Sequence, residues 1–130
     1  MNQYPNELRY TSTHEWVKIE KDNTITVGIT EHAQHQLGDL VYVELPELNK
    51  QVTAGKELAV VESVKTAADV YSPADGAVIA INESLRKNPE LVNQDPYGNG
   101  WLFRLKINNA PELEKLLDAH KYQIMVEGSN

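Results

Sequence analysis

VESVKTAADVYSPADG, residues 61–76, contains a lysine between two apolar segments that have the composition of β-strands. Residues 58–64 lead up to Lys65, and residues 70–71 and 77–81 continue the apolar pattern after it. Two strands that flank one lysine predict a β-hairpin with the ammonium group in solvent at its tip. A solvated amine on a flexible stem suits acylation by a modifying enzyme. The stretch therefore predicts a protein whose working group is attached to Lys65 after synthesis.

Further short elements are predicted on both sides of this hairpin. Strands are predicted at residues 14–20, 24–29, 40–45 and 101–107, where apolar residues alternate with polar ones. A helix is predicted at residues 31–37, with Thr30 as its N-cap and Gly38 as its stop. Another helical turn is predicted at residues 89–92. A last helix is predicted after Asn109, with three leucines on one face: Leu113, Leu116 and Leu117.

The predicted turns, together with the short strands, indicate the fold class. Proline and glycine in residues 73–76 predict a tight turn in which Gly76 adopts a positive φ. Short strands and frequent turns predict a mainly β protein, a sandwich or flattened barrel with short peripheral helices. We expect one domain over residues 1–130, with a short helical segment at its C-terminal end.

The composition argues against several classes of function. The 130 residues include 12 basic and 19 acidic side chains, a net charge of −7, so nucleic acid is not an expected partner. The absence of cysteine excludes disulfides and a thiolate nucleophile. No apolar run is long enough to span a membrane. His32 and His35 have a spacing that can bind metal, but no third ligand lies nearby, so no metal site is predicted.

The N-terminal ten residues are polar and contain neither an apolar signal segment nor an Arg-rich amphipathic stretch. Met1 is followed directly by the predicted domain. We therefore expect a bacterial cytoplasmic protein. The alternative is a mitochondrial matrix protein from which a transit peptide has been removed.

The residues around Lys65 resemble the lipoyl-attachment hairpin of the glycine cleavage H-protein family. The shared residues are Glu62-Ser63-Val64-Lys65, Asp69-Val70-Tyr71-Ser72-Pro73 and Gly76. Similar blocks lie at Tyr10-Thr11, His14-Glu15-Trp16-Val17 and residues 26–34, 37–39, 43–46, 88–93, 95–98 and 100–101. They span residues 10–122 in the family's order, unlike a chance match to one short motif. The resemblance implies a lipoyl/biotinyl-like β-sandwich, a flattened hybrid barrel.

The resemblance also implies a cofactor and a set of site residues. Lipoic acid is expected in amide linkage to Lys65, and Glu62 and Gly76 are expected to help the lipoylating enzyme recognise the lysine. Biotin domains flank their lysine with methionines, whereas Val64 and Thr66 stand here, which argues against biotin. A surface cleft near three residues is expected to hold the loaded arm: Thr13, Glu15 and Asp69.

The implied function is that of a non-catalytic carrier on which a lipoyl-lysine arm shuttles the aminomethyl group of glycine. The implied partners are glycine decarboxylase (P-protein), aminomethyltransferase (T-protein), dihydrolipoyl dehydrogenase (L-protein) and the lipoylating enzyme. Two alternatives stay open on the sequence. One is a lipoyl relay that donates lipoate to 2-oxoacid dehydrogenases, and the other is a non-lipoylated interaction module.

Overall fold

The computed structural model describes residues 3–128, which form nine short strands and a set of short helices. The strands are β1 (Arg9–Tyr10), β2 (Glu15–Ile19), β3 (Thr24–Ile29), β4 (Leu40–Glu44), β5 (Gln51–Val52), β6 (Glu57–Ser63), β7 (Ala67–Tyr71), β8 (Gly76–Ile81) and β9 (Phe103–Ile107). The helices are α1 (Glu31–Leu37), α2 (Ser84–Lys87), α3 (Leu91–Gln94) and α4 (Ala119–Glu127), with a 3-10 helix at Ala110–Lys115.

The strands form two sheets. The larger has the order β1-β2-β3-β9-β8-β5, and the smaller has the order β4-β6-β7. All pairings are antiparallel, and alternate residues of both sheets point into one apolar core. Val27 and Leu105 contribute to this core from the large sheet, and Val61 and Val70 from the small one. The prediction of a mainly β sandwich with short peripheral helices is confirmed.

The helix predicted at residues 31–37 has the predicted bounds and caps. The Thr30 hydroxyl accepts a hydrogen bond from the backbone N–H of Ala33, and Gly38 ends the helix with a φ of 84°. A φ of this sign favours glycine because it has no Cβ atom. Asn93 fixes the same end of the helix, since its side-chain amide donates to the Gly38 carbonyl and its oxygen accepts from the backbone N–H of Leu40.

The prediction of an α-helix directly after Asn109 is wrong. The chain forms a 3-10 helix there, and the α-helix of this region is α4, which begins at Ala119. The reason is a β-bridge in which the backbones of Tyr10 and Leu117 exchange two hydrogen bonds of 2.8 Å. This bridge interrupts the helix, and Asp118 then caps α4 by accepting a hydrogen bond from the backbone N–H of Lys121.

A second cluster of buried aromatic side chains attaches α4 to the large sheet. The rings of Tyr10 and Tyr122 are stacked with their centroids 4.6 Å apart. The Tyr122 hydroxyl lies 2.8 Å from both His14 Nδ1 and Thr30 Oγ1. Burial lowers the pKa of His14, and the neighbouring His32 lowers it further. These contacts fix the backbone of His14, which has a φ of 75° and directly precedes the first residue of β2.

Candidate functional site

Lys65 lies at the tip of the hairpin that joins β6 to β7. Ser63 closes the turn, because its backbone N–H donates to the Thr66 carbonyl over 2.7 Å. The Ser63 hydroxyl also donates to that carbonyl and accepts from the Thr66 N–H, both at 3.2 Å. Val64 and Lys65 are the two central residues of this turn, and Val64 is 84% exposed. The turn therefore holds the lysine backbone in a defined place while its side chain projects into solvent.

The Lys65 side chain is exposed and, within residues 3–128, forms neither a hydrogen bond nor an ion pair. Its Cε atom lies over the end of α1, 3.6 Å from where a Cβ atom of Gly38 would stand. No charged group within the described chain competes for the ammonium. The amine is consequently available to an acylating enzyme.

Glu62 lies next to this turn on the outer face of the small sheet. It stands opposite Tyr42 on β4 and Ala67 on β7, and its side chain is half-buried. No described residue forms a hydrogen bond or an ion pair with its carboxylate. A lipoylating enzyme that approaches Lys65 from this face could therefore contact Glu62 directly.

Gly76 lies far from the lysine, at the first position of β8 in the large sheet. The five residues of β7 carry the chain about 16 Å away from the hairpin tip, at a rise of ~3.3 Å per residue. The positive φ predicted for Gly76 is wrong, because among the described glycines only Gly38 and Gly55 have one. Glycine is required for steric reasons. A Cβ atom at this position would lie 2.2 Å from the carbonyl oxygen of Lys106 on β9.

An open cleft of about 420 Å³ lies at the far end of β7. It is formed by the segment before β2, the turn after β5 and the end of β7. The lining residues are Thr11, Ser12, Thr13, Glu15, Gly55, Tyr71, Ser72 and Pro73. The volume is within the range of roughly 300–1,000 Å³ that small-molecule sites occupy. The structure thus brings two of the three predicted cleft residues, Thr13 and Glu15, into one concave surface.

Glu15 is the charged side chain of this cleft, and it is only 1% exposed. Its Oε1 atom accepts hydrogen bonds from the hydroxyls of Thr11 and Thr13, the latter at 2.6 Å. Its Oε2 atom accepts from the backbone N–H of Tyr71 at 3.0 Å. Since β7 is the edge strand of the small sheet, Glu15 satisfies an edge N–H and joins the two sheets at the cleft.

The protonation of Glu15 depends on two opposing effects. Burial raises the pKa of its carboxyl group, because a charge is poorly solvated there. Hydrogen bonds from Thr11, Thr13 and the Tyr71 backbone lower the pKa, because they stabilise the ionised form. Burial is the larger effect, so the net pKa is raised. A cation in the cleft would shift the balance towards the carboxylate.

Asp69, the third predicted cleft residue, does not line the cleft. It is exposed on the outer face of β7, between Ala67 and Tyr71 on the same side of the strand. These three residues form a line from the hairpin tip to the cleft. Asp69 therefore lies on the route between Lys65 and Glu15, in solvent.

The family model of the glycine cleavage H-protein matches residues 8–129 of the sequence. The chain belongs to this family. The H-protein family is the lipoyl carrier of the glycine cleavage system. The match covers the hairpin, the cleft and α4, so every part of the site described above lies inside the family domain.

Individual members of the family match this chain over all or nearly all of their length. The glycine cleavage system H protein of Coxiella burnetii is 59% identical over 130 residues, which cover all of both chains. That of Aeromonas salmonicida is 56% identical over 127 residues, 98% of each chain. The crystal structure of an H protein from Mycobacterium marinum superposes with a TM-score of 0.87 at 37% identity, covering 95% of this chain and 98% of that one.

Several cleft residues were not predicted from the sequence. Thr11 and Ser12 are close to Glu15 in the sequence but carry no local signal for binding, and Gly55 joins them in the cleft only through the fold. Tyr71, Ser72 and Pro73 belong to the hairpin motif, but nothing in the motif places them beside β2. The turn at residues 54–56 forms one wall of the cleft through Gly55.

Two further observations concern residues 3–128 as a whole. No three side chains of His, Asp or Glu within this range are grouped so that they could hold a metal ion. None of the helices described in it is both long and apolar enough to cross a membrane.

Proposed function

We propose that the chain carries lipoic acid in amide linkage to Lys65 and presents it to the enzymes of the glycine cleavage system. The observation that carries the proposal is the exposed, unpaired Lys65 at the tip of a braced hairpin in a chain of this family. When attached, the dithiolane ring would supply a disulfide that is reduced as it accepts the aminomethyl group and is re-formed by oxidation of the dithiol after the cargo has left. The chain itself supplies presentation and docking, and the partner enzymes supply catalysis.

The residues around Lys65 fit such a group. The turn from Ser63 to Thr66 is closed by its own hydrogen bonds, so modification of Lys65 breaks no contact that holds the hairpin. A lysine stem extended by an eight-carbon acid spans on the order of 14 Å, at bond lengths near 1.5 Å. This reach is comparable to the length of β7, which separates the tip from the cleft.

The cleft is proposed to hold the arm when it carries the aminomethyl cargo, which ends in a cationic nitrogen. Thr13 and Glu15 would contact the cation in the cleft, and Asp69 would attract it along β7. A carboxylate has about four acceptor sites, and the described residues fill three of those of Glu15. One site remains for an ammonium donor, and a charge-assisted hydrogen bond is stronger than a neutral one.

The proposed partners are the P-protein, the T-protein, the L-protein and the lipoylating enzyme, all acting in the bacterial cytoplasm. Bacterial relatives that match the full chain support the compartment. Tethering the group on a protein raises its effective concentration at each partner's active site. Because the proposed carrier catalyses no step itself, this raised concentration is its contribution to the rates of the partner enzymes.

Intact mass and reconstitution test this function. The full chain is expressed with a lipoylating enzyme and lipoate, and we expect the mass of one lipoyl adduct per chain. The modified chain, with P-protein, should support exchange of carbon dioxide with the carboxyl group of glycine. An adduct without exchange would favour the lipoyl relay, and a chain that never gains an adduct would favour the interaction module.

Glu62→Ala is expected to slow lipoylation about tenfold, the effect of losing ~1.4 kcal/mol of recognition. Its carboxylate has no partner among the described residues, so the free energy of unfolding should change by less than about 0.5 kcal/mol. Adduct formation over time and thermal unfolding measure the two quantities. Glu57→Ala, on the same strand but distant from the tip, is the matched control and should be modified at the parent's rate. Equal rates for both variants would contradict a recognition role for Glu62.

Glu15→Gln is expected to shorten the lifetime of the aminomethyl cargo by about tenfold to a hundredfold. Spontaneous loss breaks the C–N bond and then the C–S bond of the cargo, consumes one water and releases ammonium, formaldehyde and the free thiol. The change in unfolding free energy should stay near ~1 kcal/mol, because the amide oxygen can still accept from Tyr71 and the threonine hydroxyls can accept from the amide nitrogen. Release of ammonia from the loaded chain measures the effect.

Asp69→Asn should have a smaller effect on the same rate, because this carboxylate is solvated. Asp22→Asn changes an exposed acid in the β2–β3 turn and serves as the control. A loaded Glu15→Gln chain that loses ammonia no faster than the Asp22→Asn chain would show that the cleft does not protect the cargo.

A further inference from the structure

The Thr11 hydroxyl is the centre of the hydrogen-bond network around Glu15. It donates to Glu15 Oε1 and accepts from the backbone N–H of Glu15 at 3.0 Å. It also lies 3.2 Å from the hydroxyl of Thr13, which binds the same carboxylate oxygen. The Thr11 backbone N–H donates to the Glu15 carbonyl at 2.9 Å. Thr11 therefore contacts the backbone and the side chain of Glu15 at once.

Within residues 3–128, no positive charge compensates the buried Glu15 carboxylate. The groups that stabilise its ionised form are hydrogen-bond donors, and Thr11 is the strongest of them, followed by Thr13. Thr13 is exposed on the surface loop, whereas Thr11 is half-buried, and its backbone pairs with that of Glu15. Of the two hydroxyls, that of Thr11 is the better fixed.

We propose that Thr11 is a positioning residue of the cleft, whose hydroxyl keeps the Glu15 carboxylate ionised and oriented so that the cleft selects a cationic arm over a neutral one. The inference rests on the proposed role of the cleft in holding the aminomethyl cargo. Without the hydroxyl, burial favours the protonated acid, which attracts a cation only weakly. Thr11 thus acts through Glu15.

None of the other titratable residues described around Glu15 supplies a positive charge to its carboxylate at neutral pH. Tyr71 lines the cleft and approaches the carboxylate with its backbone N–H. Burial raises the pKa of Tyr122, and nearby acidic groups including Glu15 add to the effect, so this phenol is neutral throughout the physiological range. His14 precedes Glu15 in the chain, and its lowered pKa leaves it neutral above about pH 6.5. Asp69 lies in solvent on β7.

Thr11→Val removes the hydroxyl and keeps the shape of the side chain. Titration of the Glu15 carboxyl carbon by NMR, in the full chain without lipoate, measures the effect directly. We expect the midpoint in Thr11→Val to lie about one pH unit above that of the parent, the shift caused by losing one hydrogen bond to the charged form. Thr11→Ser keeps the hydroxyl and should restore the parent midpoint. Thr24→Val, on the remote end of β3, is the matched control and should leave it unchanged.

The loaded chain supplies a second measurement. At a pH between the Glu15 midpoints of the two proteins, Thr11→Val should lose ammonia several-fold faster than the parent, because only the parent's carboxyl group is ionised there. The ratio of the two rates should fall towards one as the pH rises above the variant's Glu15 midpoint. A purely structural defect would leave this ratio independent of pH.

Two outcomes would overturn the inference: a Glu15 midpoint in a folded Thr11→Val chain equal to the parent's, or a rate ratio that does not change with pH. If Thr11→Val does not fold, a Thr11→Ser chain with a midpoint different from the parent's would also overturn it. Failure of the proposed function is distinguishable, because a parent chain that gains no adduct leaves the NMR titration of the unmodified chain intact.

Discussion

Lys65→Arg is expected to fold like the parent and to gain no lipoyl adduct under conditions that modify the parent completely. The loss should be total, because the guanidinium group stays protonated at any accessible pH and offers no free amine to an acyl donor. The substitution keeps the net charge at 12 − 19 = −7, whereas lipoylation of the parent changes it to 11 − 19 = −8. Intact mass and native gel mobility therefore both report the outcome.

The fold should tolerate arginine at this position, because Lys65 is exposed and has no hydrogen bond to another described residue. The turn is closed by Ser63 and Thr66, neither of which changes. Lys50→Arg, in the exposed loop before β5, is the matched control and should be modified at the parent's rate. An adduct on Lys65→Arg would mean that another lysine is the acceptor, and peptide mapping would identify it.

The parts of the fold that were predictable from the sequence depend on local patterns. Helix α1 was predicted with its bounds, since Thr30 and Gly38 are caps that act within one turn. The hairpin around Lys65 was predicted because strand-like residues flank a single lysine. Neither prediction needed any knowledge of which strands pair with which.

The parts that were not predictable depend on pairing between distant segments. Glu15 meets Tyr71 only after β2 and β7 have been placed in different sheets. Helix α4 begins at Ala119 because Leu117 pairs with Tyr10, more than a hundred residues earlier. The sequence also does not show that the two acids expected near the arm lie in different surroundings, Glu15 buried in the cleft and Asp69 in solvent.

Gly76→Ala is expected to be the most destabilising single substitution discussed here, although it adds only one methyl group. The new Cβ atom would lie 2.2 Å from the Lys106 carbonyl oxygen and 3.0 Å from the Cα atom of Ile107. Both are backbone atoms of β9, so the overlap cannot be relieved by rotating a side chain. We expect a loss of about 3 kcal/mol in the free energy of unfolding. This corresponds to a fall in Tm of roughly 10 °C for a chain of this size.

Gly98→Ala is the matched control, because the three atoms nearest to its Cβ atom would belong to the Asp95 carboxylate, the end of a side chain, and not to the backbone. The change in its unfolding free energy should stay below about 1 kcal/mol. Thermal unfolding of the three proteins measures the difference. If Gly76→Ala melts within a few degrees of Gly98→Ala, β9 must be free to move away, and the steric reason for this glycine would be wrong.

Gly76→Ala also distinguishes a structural role of Gly76 in lipoylation from direct recognition by the lipoylating enzyme. Gly76 lies beyond the far end of β7, which is itself about 16 Å long at ~3.3 Å per residue, so a lipoylating enzyme seated on Lys65 has to reach along the whole strand to contact it. If the glycine acts through the fold, the lipoylation rate of Gly76→Ala should follow its folded fraction and recover at temperatures well below its Tm. If the enzyme reads the glycine directly, the rate should stay low in the folded variant as well. We expect the first result, because the overlap with β9 displaces the base of the hairpin that presents Lys65.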